Sequence, residues 1–141
     1  PTLAPVALKP LLTRLAGLET RVPVLVKSGP DVTVEVDVDQ IEQLFINVIR
    51  NAADACLEVG GSGVTSGWRR PRHGLDIWVD DDGPGLSNTT NLFVPFFTTK
   101  PGGSGIGLVL CRQIAEAHEG SLKLENRPDG RGARAVLTLR V

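Results

Sequence analysis

The sequence predicts an α/β domain, and three observations predict it. Apolar residues recur at helical spacing in three separate stretches, and strand-like alternation fills segments between and after them. The region 81–107 has no period and is rich in Gly and Pro, and long loops of that kind in compact domains usually carry function. At 141 residues the chain fits one domain, 1–141, able to bury roughly two thirds of its extended surface.

The first helix rests on Leu8, Leu11, Leu12, Leu15 and Leu18, spaced by three and four between Pro5 and Glu19, with Gly17 weakening its end. Val22, Val24 and Val26, then Val32, Val34 and Val36, alternate on either side of the turn signal Ser28-Gly29-Pro30-Asp31, which predicts a hairpin or other paired strands. Asp39 with Glu42 three residues later is a capping-box pattern. It opens a helix over 40–58 whose apolar side is Ile41, Leu44, Phe45, Val48, Ala52 and Ala55, ending near Gly60-Gly61. Two strands follow, Val64 to Arg69 and Leu75 to Asp80, joined through a Pro- and Gly-punctuated turn. After the long loop, Val109, Leu110, Ile114 and Ala117 restore a helical period that stops at Gly120. Leu122 with Leu124, then Ala135, Leu137 and Leu139, predict two closing strands.

Composition excludes several classes of function. Fifteen Lys and Arg against sixteen Asp and Glu give a formal charge of −1, so the positive field that holds nucleic-acid backbones is missing. Nucleic acid is therefore not expected as a partner. No apolar run approaches the roughly 18 to 20 residues that cross a bilayer, and no membrane contact is expected of this domain. Cys56 and Cys111 lie in helical patterns and read as reduced core thiols. A chain that starts at Pro1 and contains no Met is expected to be a piece of a longer protein.

Four local patterns bear on chemistry. On the helix over 40–58, Asn47, Asn51, Asp54 and Glu58 form a polar stripe beside the apolar one. Its two carboxamides lie one turn apart, and a carboxamide oxygen is a hard neutral ligand suited to Mg²⁺ when phosphate oxygens and water complete the octahedron. A solvated helix face gives the same pattern. Next, Asp80, Asp81 and Asp82 with Gly83-Pro84-Gly85 follow directly on a strand. A buried carboxylate there accepts a hydrogen bond from an exocyclic amine such as adenine's and repels guanine's oxygen, while the glycines let the backbone approach a flat ring. The alternative is an acidic turn binding Ca²⁺, although no Glu stands at the twelfth position of an EF-hand loop.

The third pattern is Gly102-Gly103-Ser104-Gly105-Ile106-Gly107, leading into a helix from Leu108 whose free N–H groups and dipole favour a phosphate. Leu108 stands where a Walker A loop demands Lys and where a dinucleotide fingerprint demands its last Gly, so neither common nucleotide motif fits. A flexible linker remains the alternative. The fourth pattern, Leu92 to Lys100, gathers three of the four Phe in a segment without period; the plain reading is that they would plug a loop onto the core, and Lys100 would point to phosphate or to water.

In this order the four patterns resemble the N, G1, F and G2 boxes of the catalytic and ATP-binding domain of sensor histidine kinases, over nearly the whole chain. Asn47 to Ala55 resembles the N box, Asp81 to Gly85 the G1 box and Gly103 to Leu108 the G2 box. Phe93 to Lys100 is similar to the F box of the nitrogen-regulatory type. The parent superfamily includes DNA gyrase, mismatch-repair clamps and the large heat-shock chaperone ATPase. The resemblance implies a two-layer α/β sandwich of the Bergerat ATP-binding type, with a mixed, mostly antiparallel sheet packed against about three helices. It implies ATP and Mg²⁺ as cofactors. Asn51 would bind Mg²⁺ with help from Asn47, as the catalytic pair, and Asp81 would hold the adenine amine. Gly83 and Gly85 would shape the floor of the base pocket. Gly103, Gly105 and Gly107 would hinge a lid over 88–103, which Phe93, Phe96 and Phe97 anchor. Asp54, Thr99, Lys100, Ser104, Ile106 and Leu108 complete the implied nucleotide-contacting set. Asp82 stands where many members have Asn, and Glu119 where a Gly is frequent.

The clamp-type ATPases of this superfamily resemble one another in placing a Glu four residues before the Mg²⁺-binding Asn, where it activates water; here that position is Asn47. An amide cannot accept a proton at neutral pH, and Glu42 reads as the helix cap, which favours phosphoryl transfer over hydrolysis. The resemblance implies an acceptor histidine on a separate helical dimerisation domain of the same parent, with a response regulator downstream, while His73 and His118 both read as structural. The chain is then expected to bind ATP without phosphorylating itself, in the cytoplasm, within a parent that is either soluble or membrane-anchored. The other readings are a non-catalytic ATP-binding regulatory module and a serine protein kinase of the same superfamily.

Overall fold

The computed structural model describes residues 1–72, 74–86 and 106–140, with Ile106 by its backbone alone. The described elements are β1 (Ala4–Ala7), α1 (Leu8–Ala16), β2 (Val24–Val26), β3 (Thr33–Val36), α2 (Val38–Val59), β4 (Val64–Arg69), β5 (Gly74–Asp81), α3 (Ile106–Ala117), β6 (Ser121–Asn126) and β7 (Ala133–Arg140). A five-stranded sheet runs in the order β2-β4-β5-β7-β6, and β1 pairs with β3 in a separate two-stranded ribbon. In the larger sheet β2 lies parallel to β4 while the other three pairings are antiparallel. The mixed, mostly antiparallel sheet expected from the sequence is thus what forms, with three helices against it.

Alternation along β5 turns Leu75, Ile77 and Val79 toward the helices, where they meet the apolar stripe of α2, with Leu44, Phe45, Val48 and Ala52 all buried. Each of the Leu, Ile, Val and Phe side chains among them contributes roughly 1.5 to 3 kcal/mol by leaving water. At its end α2 stops at Gly60, whose φ of 63° is a left-handed conformation that glycine adopts without a Cβ penalty. The N–H of Gly61 then closes on the Cys56 carbonyl at 2.8 Å.

Three sequence expectations need correction here. The valines around Ser28–Asp31 do not form a hairpin: β2 pairs with β4 and β3 with β1. The intervening segment instead crosses the Trp68 indole, whose Nε1 donates to the Pro30 carbonyl at 2.7 Å, and a Cβ on Gly29 would lie 2.8 Å from that ring. The cap of α2 is Asp37, whose carboxylate accepts the Gln40 N–H at 3.2 Å and the Thr2 N–H at 2.9 Å. Strand β3 ends at Val36, so the turn into the helix comes two residues before Asp39, and Glu42 pairs with Arg14 of α1 rather than capping. Finally, α3 begins at Ile106, not Leu108, and buries Cys111, Ile114 and Ala115 while Leu110 and Ala117 stay exposed.

Candidate nucleotide site

Helices α2 and α3 pack antiparallel, and three contacts fix their register. At one end a Cβ built on Gly107 would lie 3.8 Å from the Asn47 carboxamide carbon. Midway, Cys111 Sγ donates to the Leu44 carbonyl at 3.6 Å. At the other end His118 is held on both ring nitrogens. Its Nε2 accepts the Asp37 N–H at 3.0 Å, which leaves Nδ1 to donate to the Ile114 carbonyl at 2.8 Å. This doubly engaged imidazole ties the start of α2 to the end of α3, which agrees with a structural role for His118. Asn47 and Asn51 follow one another by a turn on α2, both half-buried, and Leu108 is half-buried on the facing helix. Burial pushes the Cys111 thiol up to about 11, with a side-chain hydrogen bond to Asn47 acting the other way. Asp54 continues the Asn stripe, and its Oδ1 accepts from Arg21 Nη1 at 2.7 Å.

The three consecutive aspartates go to three different places. Asp80 points to the sheet face away from the helices, where Arg134 grips it through two bonds of 2.7 and 2.9 Å. Asp81 shares the parity of Leu75, Ile77 and Val79, and so turns its carboxylate into the space between sheet and helices, where it is 6% exposed. Its Oδ1 accepts the Gly83 N–H at 2.9 Å and the Ala133 N–H at 3.1 Å. Among the described residues no hydrogen bond reaches Oδ2, the oxygen available to a ligand. Burial pushes the Asp81 carboxyl above its ordinary range, and the two backbone donors oppose that shift.

Asp82 turns back to the α2–β4 connection. Its carboxylate accepts from Ser62 N at 2.6 Å, Ser62 Oγ at 2.5 Å and Cys56 Sγ at 3.0 Å. Burial works against its ionisation, yet the Cys56 and Ser62 hydrogen bonds hold it well below the usual carboxylate range. Cys56 in turn is raised to about 11, by burial first and then by Asp82. An Asp after a strand, with a Ser- and Gly-rich loop elsewhere, gives no sequence signal for this clasp. Nor does a lone Asn for Asn126, whose Oδ1 accepts the Leu86 N–H at 2.7 Å and fixes the exit of the acidic loop.

The glycines of that loop serve the protein before any ligand. A Cβ on Gly83 would lie 2.6 Å from the Ala55 carbonyl oxygen, so the loop rests on the backbone of α2 one turn beyond Asn51. Gly85 has a φ of 82° and faces Asn126. These contacts already call for glycine at both positions. Gly107 at the start of α3 lies by Asn47, and Gly83 after β5 lies on Ala55 of the same helix α2 that carries Asn51 and Asp54. Phe93, Phe96, Phe97, Thr99, Lys100, Gly103, Ser104, Gly105 and His73 lie outside the described residues, and Ile106 is described by its backbone alone.

Among the described residues no three His, Cys, Asp or Glu side chains gather to hold a metal ion, and the three aspartates of the acidic run point to different places. Any Mg²⁺ here needs neutral oxygens supplemented by a ligand's own charges, and the half-buried carboxamides of Asn47 and Asn51 fit that demand. A mixed, mostly antiparallel sheet packed against three helices is the ATPase-type α/β sandwich that the sequence patterns lead one to expect. The chain belongs to the family of histidine kinase-, DNA gyrase B- and HSP90-like ATPases, whose family model matches residues 36–141.

Its similar relatives are sensor kinases. The chain is 36% identical over 142 residues to the C4-dicarboxylate transport sensor protein DctS of Rhodobacter capsulatus, covering 98% of this chain and 20% of that protein. It is 31% identical over 132 residues to the signal transduction histidine-protein kinase AtoS of Escherichia coli, covering 92% and 21%. The chain therefore spans about a fifth of the length of these relatives. Among solved structures, the ATP-binding domain of PrrB from Mycobacterium tuberculosis superposes with a TM-score of 0.77 at 28% identity, covering 99% and 98% of the two chains. The catalytic domain of the histidine kinase ThkA gives 0.82 at 26% identity, covering 98% and 96%. Among the described residues no helix is long and apolar enough to cross a membrane.

Proposed function

We propose that this chain binds Mg²⁺-ATP and donates the γ-phosphoryl group to a histidine on a separate helical dimerisation domain of a longer sensor kinase, which passes it to a response regulator. The observation that carries this reading is the Asn47 carboxamide lying against Gly107, where the amide helix meets the helix start that would seat phosphates. Asp81 would accept the adenine amine through Oδ2, and Asn47 and Asn51 would hold the metal. When bound, Mg²⁺ neutralises charge on the β- and γ-phosphates. The helix start of α3 would offer its first N–H groups to the same oxygens. The bond from the γ-phosphorus to its bridging oxygen breaks, ADP leaves, and a new bond forms to an imidazole nitrogen of the acceptor.

Direct hydrolysis lacks its base. Position 47 is an amide, and Glu42 is engaged by Arg14 on the side of α2 that faces α1. We further read the chain as the nitrogen-regulatory type, on the letters Phe93 to Lys100. Mixing the chain with γ-labelled ATP and a separate dimerisation domain tests the whole reading. Acid-labile label on that domain supports it. Binding without transfer favours a regulatory module, and acid-stable phosphoserine a serine kinase.

A further inference from the structure

Asp81 is held from two sides, and only one of them belongs to the acidic loop. The Gly83 N–H comes from that loop, but the Ala133 N–H comes from the start of β7. Just before it, Gly132 has a φ of 90°, and a Cβ there would lie 2.1 Å from the Asp81 carbonyl oxygen, so the β6–β7 connection lies directly on the Asp81 peptide. Arg127 closes this connection. Its N–H donates to the Gly132 carbonyl at 3.1 Å and its carbonyl accepts from Gly130 at 2.9 Å. Its guanidinium reaches across: Nη1 donates to the Asp81 carbonyl at 2.9 Å, Nη2 to Asp129 at 2.9 Å, and Nε lies 3.8 Å from Asp80.

We propose that Arg127 is a positioning and selectivity residue of the nucleotide site, acting through Asp81 from outside the four boxes. The inference rests on the reading of Asp81 as the adenine ligand. Arg134 is committed to Asp80 on the opposite face by its two bonds, so Arg127 is the cation that touches the Asp81 peptide itself. The groups that act on the Asp81 carboxylate are Asp82 along the chain, the Cys56 thiol from α2, and Arg127 from the β6–β7 connection, Asp80 lying on the opposite face. Burial and the Asp82 charge favour the protonated acid, while the Gly83 and Ala133 N–H groups and Arg127 favour the carboxylate. That balance decides base choice. A carboxylate only accepts and so selects adenine's amine, whereas a carboxylic acid carries an O–H that can pair with guanine's oxygen.

The test compares the chain with R127M and R127K, measuring affinity for Mg²⁺-ATP and Mg²⁺-GTP from pH 5 to 8.5, with thermal melting as the check on folding. R127M is expected to weaken ATP about tenfold while changing GTP less than about twofold, so the ATP:GTP ratio shrinks. Its ATP affinity should fall away at a higher pH than in the parent, and R127K should recover part of both effects. In a D81N background R127M should leave the ratio unchanged. An undiminished ratio in R127M, or equal losses for ATP and GTP, overturns the role of Arg127. A parent chain that does not prefer ATP overturns instead the adenine reading of Asp81.

Discussion

Replacing Asp81 by Asn separates binding from stability, because the two draw on different oxygens of one carboxylate. The Asn carbonyl can keep the Gly83 and Ala133 N–H bonds of 2.9 and 3.1 Å, while its NH₂ replaces the oxygen offered to the ligand. A donor then faces adenine's donor, and a hydrogen bond to a charged group is lost. The cost is about 1.5 to 3 kcal/mol, or roughly 10- to 150-fold in ATP affinity. Stability moves the other way. Burial raises the Asp81 carboxyl in the folded chain, so its ionisation weighs against folding as pH rises above the unfolded value of about 3.9. Asn removes that burden, and D81N should melt at or above the parent temperature at pH 7.5, with the advantage fading toward pH 4. Calorimetric titration with Mg²⁺-ATP and melting at both pH values provide the assay. Unchanged ATP affinity, or a loss of affinity accompanied by a lower melting temperature, refutes the assignment.

Asn51→Ala should weaken Mg²⁺-ATP far more than ATP without metal, read by titration with and without a chelator; equal losses would indicate a folding defect. Asp82→Ala removes the clasp on Ser62 and Cys56 and should cost about 1 to 3 kcal/mol of stability in chemical denaturation. Because its folded carboxyl is depressed, the contribution of Asp82 is present above about pH 4 and is lost as the parent is acidified below that, so parent and variant should converge in acid. Glu119 holds a φ of 58°, in a helix end closed by Gly120 N–H to the Ala115 carbonyl at 2.9 Å. Glu119→Gly relieves that conformation at some cost in chain entropy and should gain about 0.5 to 1 kcal/mol, measured as a rise in melting temperature.

Much of this was legible where the signal is local. The stripe of α2, the pair β4 and β5, and the closing strands follow from periods of 3.6 and 2, because each residue's face is set by its neighbours in sequence. Partners of short strands are not local. Val22 to Val26 and Val32 to Val36 look like a hairpin until Trp68, far along the chain, is seen to occupy the turn. The aspartates show a signal that alternation does carry. Position 81 shares parity with Leu75, Ile77 and Val79, which is enough to send Asp81 inward and Asp80 outward before any coordinate is known. The roles of Asp82, Arg127 and Asn126 had no such signal, since each acts across sequence separations of 20 to 46 residues.

The most direct measurement follows the side-chain amides of Asn47 and Asn51, with the backbone amides of Gly83, Gly107 and Ala133, by NMR as Mg²⁺-ATP is added, while inorganic phosphate is monitored in the same sample. These resonances should shift together and saturate at one nucleotide per chain with no phosphate released. Saturation that leaves them in place, or steady release of phosphate, contradicts the account.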